Sequence, residues 1–291
     1  MRPVLYSLHA FGQNFALHSY GLAIAAGFLI AIFLGARQAR RVGEDPGQVQ
    51  ELCFWLLVSS LAGARLLFVL TNVPSYLETC AEGLRGQSMS QAVWACSRPL
   101  HVWEGGLVFY GGFLSACGFA WWYARRRKMS FARTADILAP SVAIGHFFGR
   151  LGCYAAGCCW GTTTTQPWGV RFPSESLVFQ QLVTEGKLSA AASFTPPLHP
   201  VQLYEAFGEL VLYFVLSWYA PRKRYDGQVL VGWLAGYAVL RFVVELFRGD
   251  DVRRFVFAGL STSQFIALCT LPLAFGLDRW WKRRRSAFSR V

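Results

Sequence analysis

The sequence predicts an all-α polytopic membrane protein with seven transmembrane helices, an N-terminus outside and a C-terminus in the cytoplasm. Hydrophobic residues make up 54% of the 291 residues and charged residues only 15%, whereas a soluble protein carries about a quarter of charged residues. The basic residues stand in short clusters between long apolar runs, which is the positive-inside pattern. We therefore expect a single transmembrane domain over residues 1–291.

The net charge of +12 raises the question of a nucleic-acid partner. The clustering of the basic residues between apolar runs answers it, because such clusters mark cytoplasmic loops rather than a nucleic-acid surface. The eight cysteines do not have the spacing of a zinc ribbon, so the sequence predicts neither a metal nor another cofactor. No cleavable signal peptide is evident, because the first apolar run is long and ends in arginines.

The predicted spans alternate in direction across the membrane. The third begins in the glycine-rich segment VWEGGLVFYGGF. The polar residues, glycines and serines of 71–101 predict a loop, and this loop and the segment 153–200 are expected outside, in the periplasm. In order, the spans cover about residues 20–36, 51–70, 102–123, 135–152, 201–219, 229–247 and 263–281. With seven spans, all four strong basic clusters fall on the cytoplasmic side, at 37–41, 125–128, 222–224 and 282–285.

Two cysteines, Cys80 and Cys96, lie in the first external segment. An oxidising compartment favours a disulfide between them. Two free thiols remain the alternative, because spacing alone does not decide the pairing.

The stretch GHFFGRLGCYAAGCCWG, residues 145–161, places His146 and Arg150 inside an apolar run. A cation in a membrane segment costs several kcal/mol unless it is paired, so we interpret Arg150 as a site residue that binds an anion. The alternative is a structural arginine that a nearby glutamate neutralises.

Several ionisable residues in the apolar runs need a partner or a function. Arg241 and Glu245 are four residues apart, so they share a helix face and can pair with each other, and Tyr237 lies on the same face. A pocket with excess positive charge in the outer half of the membrane would suit a lipid phosphate, because arginine offers a planar fork to phosphate oxygens. The alternative is a set of ion pairs that lock helices together. The five residues are Arg65, Arg150, Glu205, Arg241 and Glu245.

Three further cysteines, Cys153, Cys158 and Cys159, follow Arg150. A thiol beside an arginine could act as a nucleophile, although the thioether formed would be a poor donor. A disulfide among the three, or small cysteines packed between helices, are the alternatives.

The chain resembles the bacterial prolipoprotein diacylglyceryl transferase family over nearly its whole length. The similar elements occur in the same order as in that family. They are HSYGLAI (18–24), GARLLFVL (63–70), GGLVFYGG (105–112), GRLG…WG (149–161), HPVQLYE (199–205), YAVLRFVVELFR (237–248) and LSTSQ (260–264).

The resemblance implies a multi-pass enzyme of the bacterial inner (plasma) membrane. It would move diacylglyceryl from phosphatidylglycerol to a cysteine thiol of a prolipoprotein, with the signal peptide and membrane lipid as partners. Arg150 and Arg241 would hold the phosphoglycerol headgroup, and Tyr20, Tyr237 and Glu245 would line the site. The other predicted substrate-binding residues are Arg65, Gly105, Gly106, Cys153, Cys158, Gly161, Glu205 and Arg248.

The sequence departs from the family pattern G-R-x-G-N-F-x-N-x-E-x-x-G. Cys153 and Ala156 replace the two asparagines, and Cys158 replaces the acid. Tyr110 stands where the family usually has a histidine that has been proposed as a base.

The transfer needs a base that takes the proton of the acceptor thiol. The candidates are Tyr110, His146 and His199. The alternative for His146 is a packed, hydrogen-bonded histidine without a catalytic role. Two other functions stay open: a membrane thiol oxidoreductase that uses Cys153, Cys158 and Cys159 with a quinone, and a non-catalytic phospholipid-binding paralogue.

Overall fold

A computed structural model describes the backbone of residues 4–10, 13–86, 88–101, 106–249, 255–257 and 259–288. Among these residues it describes the side chains of those within 19–283, except 255–257. Ten α-helices and two small antiparallel hairpins account for most of the described residues. The strands are β1 Val4–Ala10, β2 Gln13–His18, β3 Phe255–Phe257 and β4 Leu260–Ser261. The helices are α1 Ser19–Arg41, α2 Pro46–Thr71, α3 Val73–Arg85, α4 Met89–Ser97, α5 Phe109–Arg126, α6 Phe131–Ala156, α7 Leu177–Thr184, α8 Val201–Tyr219, α9 Gln228–Glu245 and α10 Thr262–Phe288.

A helix covers most of each predicted span, so the helical class of the fold is confirmed. Among the described residues, three helices are long and apolar enough to cross a membrane by length and composition: α1, α2 and α9. In α6 and α8 the polar residues of the predicted site interrupt the apolar sequence. The seven crossings therefore remain a prediction.

The first predicted external segment is not a loop, contrary to the sequence interpretation. Residues 73–85 and 89–97 form α3 and α4, and a disulfide joins Cys80 to Cys96 across the two helices. Polar and glycine residues suggested a loop, but α3 has apolar residues at helical spacing that the sequence analysis overlooked. The disulfide resolves the alternative that the sequence had left open.

The second predicted external segment has its own small core. Trp160, Phe172, Val178 and Leu198 are buried together, and Tyr154 packs against them. Isolated bridges tie its strand-like parts to each other. This packing fixes the chain that leaves α6 and returns to α8.

The described chain divides into two compact units. Residues 43–131 form one of them, in which α2 packs closely against α5. Glycines allow this approach, because a Cβ at Gly111 would overlap the carbonyl oxygen of Gly63. The hydroxyl of Ser115 donates a hydrogen bond across the interface to the carbonyl oxygen of Ser59, 2.7 Å away.

Residues 1–42 and 132–291 form the other unit, which contains α1 and α6 to α10. Gly152 of α6 packs against the ring of Tyr20 of α1. Asp136, at the start of α6, accepts hydrogen bonds from the backbone N–H groups of Val229 and Leu230 and so caps the N-terminus of α9. These contacts fix the helices that carry the candidate site.

Candidate functional site

Arg150 lies near the C-terminal end of α6 and pairs with a glutamate of another helix. Its Nη2 is 2.9 Å from Oε1 of Glu205, which lies in the first turns of α8. The Glu205 carboxyl is buried and the Arg150 side chain is 22% exposed. The structural alternative of a glutamate partner is thus present, but the same carboxylate has a second arginine.

Arg241 of α9 is that second arginine. Its Nη1 lies 3.7 Å from Oε2 of Glu205, and its Nη2 lies 2.8 Å from Oε2 of Glu245, one turn further along α9. Nη2 also donates to Oγ of Ser263 at 2.9 Å. The buried Nη1 has no hydrogen-bond acceptor among the described residues, which leaves an arginine donor available inside the cluster.

A third arginine borders the Arg150 and Arg241 cluster. Arg248 lies 3.9 Å from Glu245, whose other oxygen accepts a hydrogen bond from Ser261 at 2.8 Å. An anion that entered this cluster would therefore meet guanidinium donors from several arginines.

Aromatic side chains border the cluster. The hydroxyl of Tyr237 lies 3.5 Å from Oε1 of Glu205, and its ring stacks on Trp233 with a centroid distance of 5.5 Å. Tyr20 rests against Gly152, one turn or less from Arg150, and keeps 42% of its surface exposed. The structure thus places the predicted Tyr20 and Tyr237 beside the predicted arginines.

His146 lies one turn before Arg150 on the same face of α6. Its Nδ1 is 2.9 Å from Oε1 of Glu209, a fully buried residue of α8, while 46% of the histidine side chain is exposed. Glu209 was not among the residues predicted from the sequence, although it lies in a predicted span four residues after Glu205. A buried carboxylate that orients a partly exposed imidazole is a common arrangement for a catalytic histidine.

His199 and Gly161 hold the segment that precedes α8. Nδ1 of His199 hydrogen bonds with the hydroxyl of Tyr204 at 3.0 Å, and Trp168 donates to the same hydroxyl at 2.7 Å. Gly161 lies against the carbonyl oxygens of His199 and Phe247, where a Cβ would not fit. These two predicted residues therefore have clear structural contacts next to the bridge between Gly161 and Arg248.

The three cysteines after Arg150 come together in space. The sulfurs of Cys153, Cys158 and Cys159 lie within 4.8 Å of one another, and all three thiols are free. Gln202, which the sequence analysis also missed, donates a 2.6 Å hydrogen bond to the carbonyl oxygen of Cys158. A disulfide among these cysteines, one of the alternatives from the sequence, is not formed in the structure.

Four predicted residues, Arg65, Gly105, Gly106 and Tyr110, belong to the unit of residues 43–131, and their participation in the site stays a prediction. Arg65 is buried and donates hydrogen bonds to the carbonyl oxygens of Arg98, Pro99 and Gly106. Tyr110 is the second residue of α5 and is 58% exposed. Gly105 lies outside the described residues.

Comparison with known proteins identifies the family. The sequence model of the prolipoprotein diacylglyceryl transferases matches residues 7–280. Phosphatidylglycerol–prolipoprotein diacylglyceryl transferase of Proteus mirabilis is 31% identical over 98% of this chain and 93% of its own length. The protein of the same name from Photorhabdus laumondii is 32% identical over 91% of this chain and 87% of its own length. The one from Clostridium tetani is 29% identical over 97% of this chain and 100% of its own length. The chain belongs to the prolipoprotein diacylglyceryl transferase family.

Proposed function

We propose that this protein transfers diacylglyceryl from phosphatidylglycerol to the lipobox cysteine thiol of prolipoproteins, in the bacterial inner membrane. The names of its relatives support the reaction and both substrates. None of the relatives named above is an oxidoreductase or a binding protein, so no observation favours the other two functions.

The observation that carries the proposal is the convergence of Arg150 and Arg241 on Glu205. Arg241 Nη1 is buried beside Glu205 and has no hydrogen-bond acceptor among the described groups. A phosphodiester oxygen would supply this acceptor, and the planar fork of each guanidinium group suits phosphate oxygens. The lipid headgroup would therefore bind against these two guanidinium groups.

The proposed topology places this cluster at the outer face. With seven spans, an external N-terminus and a cytoplasmic C-terminus, α6 and α9 end outside and α8 and α10 begin outside. Arg150, Glu205, Arg241 and Ser263 all lie near those ends. The segments 71–101 and 153–200 would be periplasmic parts of one transmembrane domain.

The reaction then follows from the arrangement of charges. The acceptor thiolate attacks the glycerol carbon of the diacylglyceryl group, the carbon–oxygen bond breaks, and glycerol phosphate leaves with the electron pair. Arg150 and Arg241 stabilise the negative charge on the leaving phosphate without proton exchange. His146, oriented by Glu209, accepts the thiol proton, and the buried carboxylate stabilises the imidazolium that results.

The remaining predicted residues have supporting parts in this proposal. Glu205, Glu245 and Tyr237 would hold the two guanidinium groups in place. Tyr110 and His199 are alternative bases to His146. The other proposed substrate-binding residues are Tyr20, Arg65, Gly105, Gly106, Cys153, Cys158, Gly161 and Arg248.

The test is transfer by the purified protein in membranes that contain phosphatidylglycerol, with a model prolipoprotein whose mass gain is measured. Arg150→Ala and Arg241→Ala should each lower the rate by about 10²-fold or more, as expected when a preorganised charge is removed from a developing anion. Arg171→Ala, at an exposed arginine of the 153–200 segment, should keep the full rate. Absence of transfer by the folded wild-type chain, or full activity in both site variants, would overturn the proposal.

A further inference from the structure

The three cysteines of the altered family motif are the polar group that the proposed reaction has not used. Cys153 lies in the last turn of α6, and Cys158 and Cys159 follow in the turn that ends it. Their sulfurs all lie within 4.8 Å of one another, and each residue is only partly buried. Three thiols at these distances, without a disulfide, are a potential ligand set for a soft metal ion.

The distances suit a single ion. A zinc–sulfur bond is about 2.3 Å long, so three sulfurs on one zinc ion lie about 3.8 Å apart. Small rotations of the three side chains would reach this spacing. Within the described part of the chain, the group includes no fourth Cys, His, Asp or Glu ligand. Three protein ligands leave one position open, which is the pattern of a catalytic rather than a structural zinc site.

The backbone around the sulfurs is held in an unusual conformation. Gly157 and Cys159 both have positive φ angles, 69° and 57°, and the second is unfavourable for a residue with a Cβ. The backbone N–H of Cys158 donates to the carbonyl oxygen of Cys153, and Gln202 donates to the carbonyl oxygen of Cys158. These contacts turn the chain so that Cys158 and Cys159 face back toward Cys153.

The charges around the cysteines also suit a thiolate site. Arg150 lies three residues before Cys153, on the same side of α6. Arg248 forms a backbone bridge with Gly161, two residues after Cys159. One Zn²⁺ and three thiolates carry a net charge of −1, and guanidinium groups nearby favour an anionic site of this kind.

We propose that Cys153, Cys158 and Cys159 bind one zinc ion, and that the open position of this ion takes the acceptor thiol of the prolipoprotein. The second half of the inference rests on the function proposed above. It also gives a function to Cys153 and Cys158, which stand where the family pattern has an asparagine and an acid. The bound zinc ion would assist the transfer in place of those polar groups.

The step balances without an oxidant or a reductant. The acceptor thiol binds zinc as a thiolate, because a coordinated thiol loses its proton, and this proton passes through water to His146. The thiolate sulfur attacks the glycerol carbon, and the electron pair of the broken carbon–oxygen bond leaves with glycerol phosphate. The thioether product is uncharged and a weaker ligand than the thiolate, so it leaves the zinc ion.

Metal binding is measured first, and independently of activity. The reduced, purified chain is titrated with Zn²⁺, and in parallel with Co²⁺, whose thiolate charge-transfer absorption reports sulfur ligation. We expect one ion per chain with strong thiolate absorption. Cys158→Ser and Cys159→Ser should each weaken binding by at least tenfold, whereas Cys117→Ser, at an exposed free cysteine of α5, should not change it. A wild-type chain that binds no ion, or that binds Co²⁺ without thiolate absorption, would overturn the proposed metal site. This outcome is read from the wild-type chain alone.

The acceptor half is tested with the Co²⁺-loaded chain and a lipobox peptide. The cysteine peptide should change the charge-transfer absorption, and the same peptide with serine should not. Removal of the ion by a chelator should lower the transfer rate at least tenfold, and added Zn²⁺ should restore it. Full transfer by the metal-free chain would overturn the inference and leave the proposed function standing. Metal binding without any transfer by the wild-type chain would overturn the proposed function and the thiol-binding step, while the metal site itself would stand.

Discussion

Arg150 and Arg241 contact the two oxygens of one buried carboxylate, although they lie on different helices. Nη2 of Arg150 is 2.9 Å from Oε1 of Glu205, and Nη1 of Arg241 is 3.7 Å from Oε2. Glu205 therefore sets the separation of the two guanidinium groups. A lipid phosphate would meet both arginines already in place, so little reorganisation would accompany binding.

Glu205→Gln should destabilise the protein and abolish transfer. The amide cannot balance the charge of Arg150 and Arg241, and removal of one partner from a buried ion pair costs about 3–5 kcal/mol. Thermal unfolding in detergent measures the loss. Glu175→Gln, at an exposed glutamate, is the matched control and should unfold like the wild type. Equal unfolding temperatures for the two variants would show that Glu205 does not hold the arginines.

His146→Gln should keep phosphatidylglycerol binding and lose transfer. A positioned general base contributes about 10²–10⁴-fold to a rate, and glutamine can still hydrogen bond to Glu209 but cannot accept the thiol proton. Single-turnover kinetics measure the chemical step. His101→Gln, in the other unit, should transfer at the wild-type rate. A folded His146→Gln variant with the full rate would identify His146 as a packed structural residue.

Gly161→Ala should destabilise the segment that carries His199. A Cβ at Gly161 would lie 2.5 Å from the carbonyl oxygen of His199 and 2.7 Å from that of Phe247, so the backbone would have to move. Overpacking of this kind costs about 1–3 kcal/mol. Gly118→Ala is the control, because a Cβ there meets open space. Equal unfolding temperatures for the two variants would contradict the close approach.

Asp226, at the predicted cytoplasmic face, should make the thermal stability of the protein depend on pH in the acid range. Burial alone would raise the pKa of this carboxyl, but hydrogen bonds from Lys223 and Arg133 hold its pKa below the ordinary value. A lowered pKa stabilises the fold above the unfolded value of about 3.9, and the stabilisation is lost as the pH falls through the folded pKa. The wild-type unfolding temperature should therefore fall more between pH 6 and pH 3 than that of Asp226→Asn.

Glu175→Gln again serves as the control for this measurement. Its acid dependence should match that of the wild type, because the exposed Glu175 carboxyl lies on the surface of the 153–200 segment. An Asp226→Asn variant with the full wild-type acid dependence would mean that Lys223 and Arg133 do not stabilise the carboxylate.

The sequence predicted the helices and singled out Arg150 and Arg241, which the structure brings together at Glu205, because helices and intramembrane arginines both leave local signals. An apolar run bounded by basic residues predicts a helix. An arginine inside such a run needs a charged or hydrogen-bonding partner, because an unpaired cation in the membrane is costly. Four-residue spacing also predicted correctly that Arg241 and Glu245 pair. Glu209 had the same signal as Glu205, and its omission was an error of interpretation.

Other features depend on contacts that no local pattern reveals. The convergence of Cys153, Cys158 and Cys159 requires positive φ angles at Gly157 and Cys159 and a hydrogen bond from Gln202, which is far away in the sequence. The helices α3 and α4 were hidden by polar residues, although the disulfide between Cys80 and Cys96 was among the predicted alternatives.

The most direct test of the account is the affinity of the purified protein for phosphatidylglycerol, titrated in neutral detergent. Hydrogen bonds from a charged group contribute about 1.5–3 kcal/mol, so Arg150→Ala and Arg241→Ala should each weaken binding by about 10- to 150-fold. Arg171→Ala should bind like the wild type. Equal affinity in all four proteins would contradict the claim that Arg150 and Arg241 together hold the lipid phosphate.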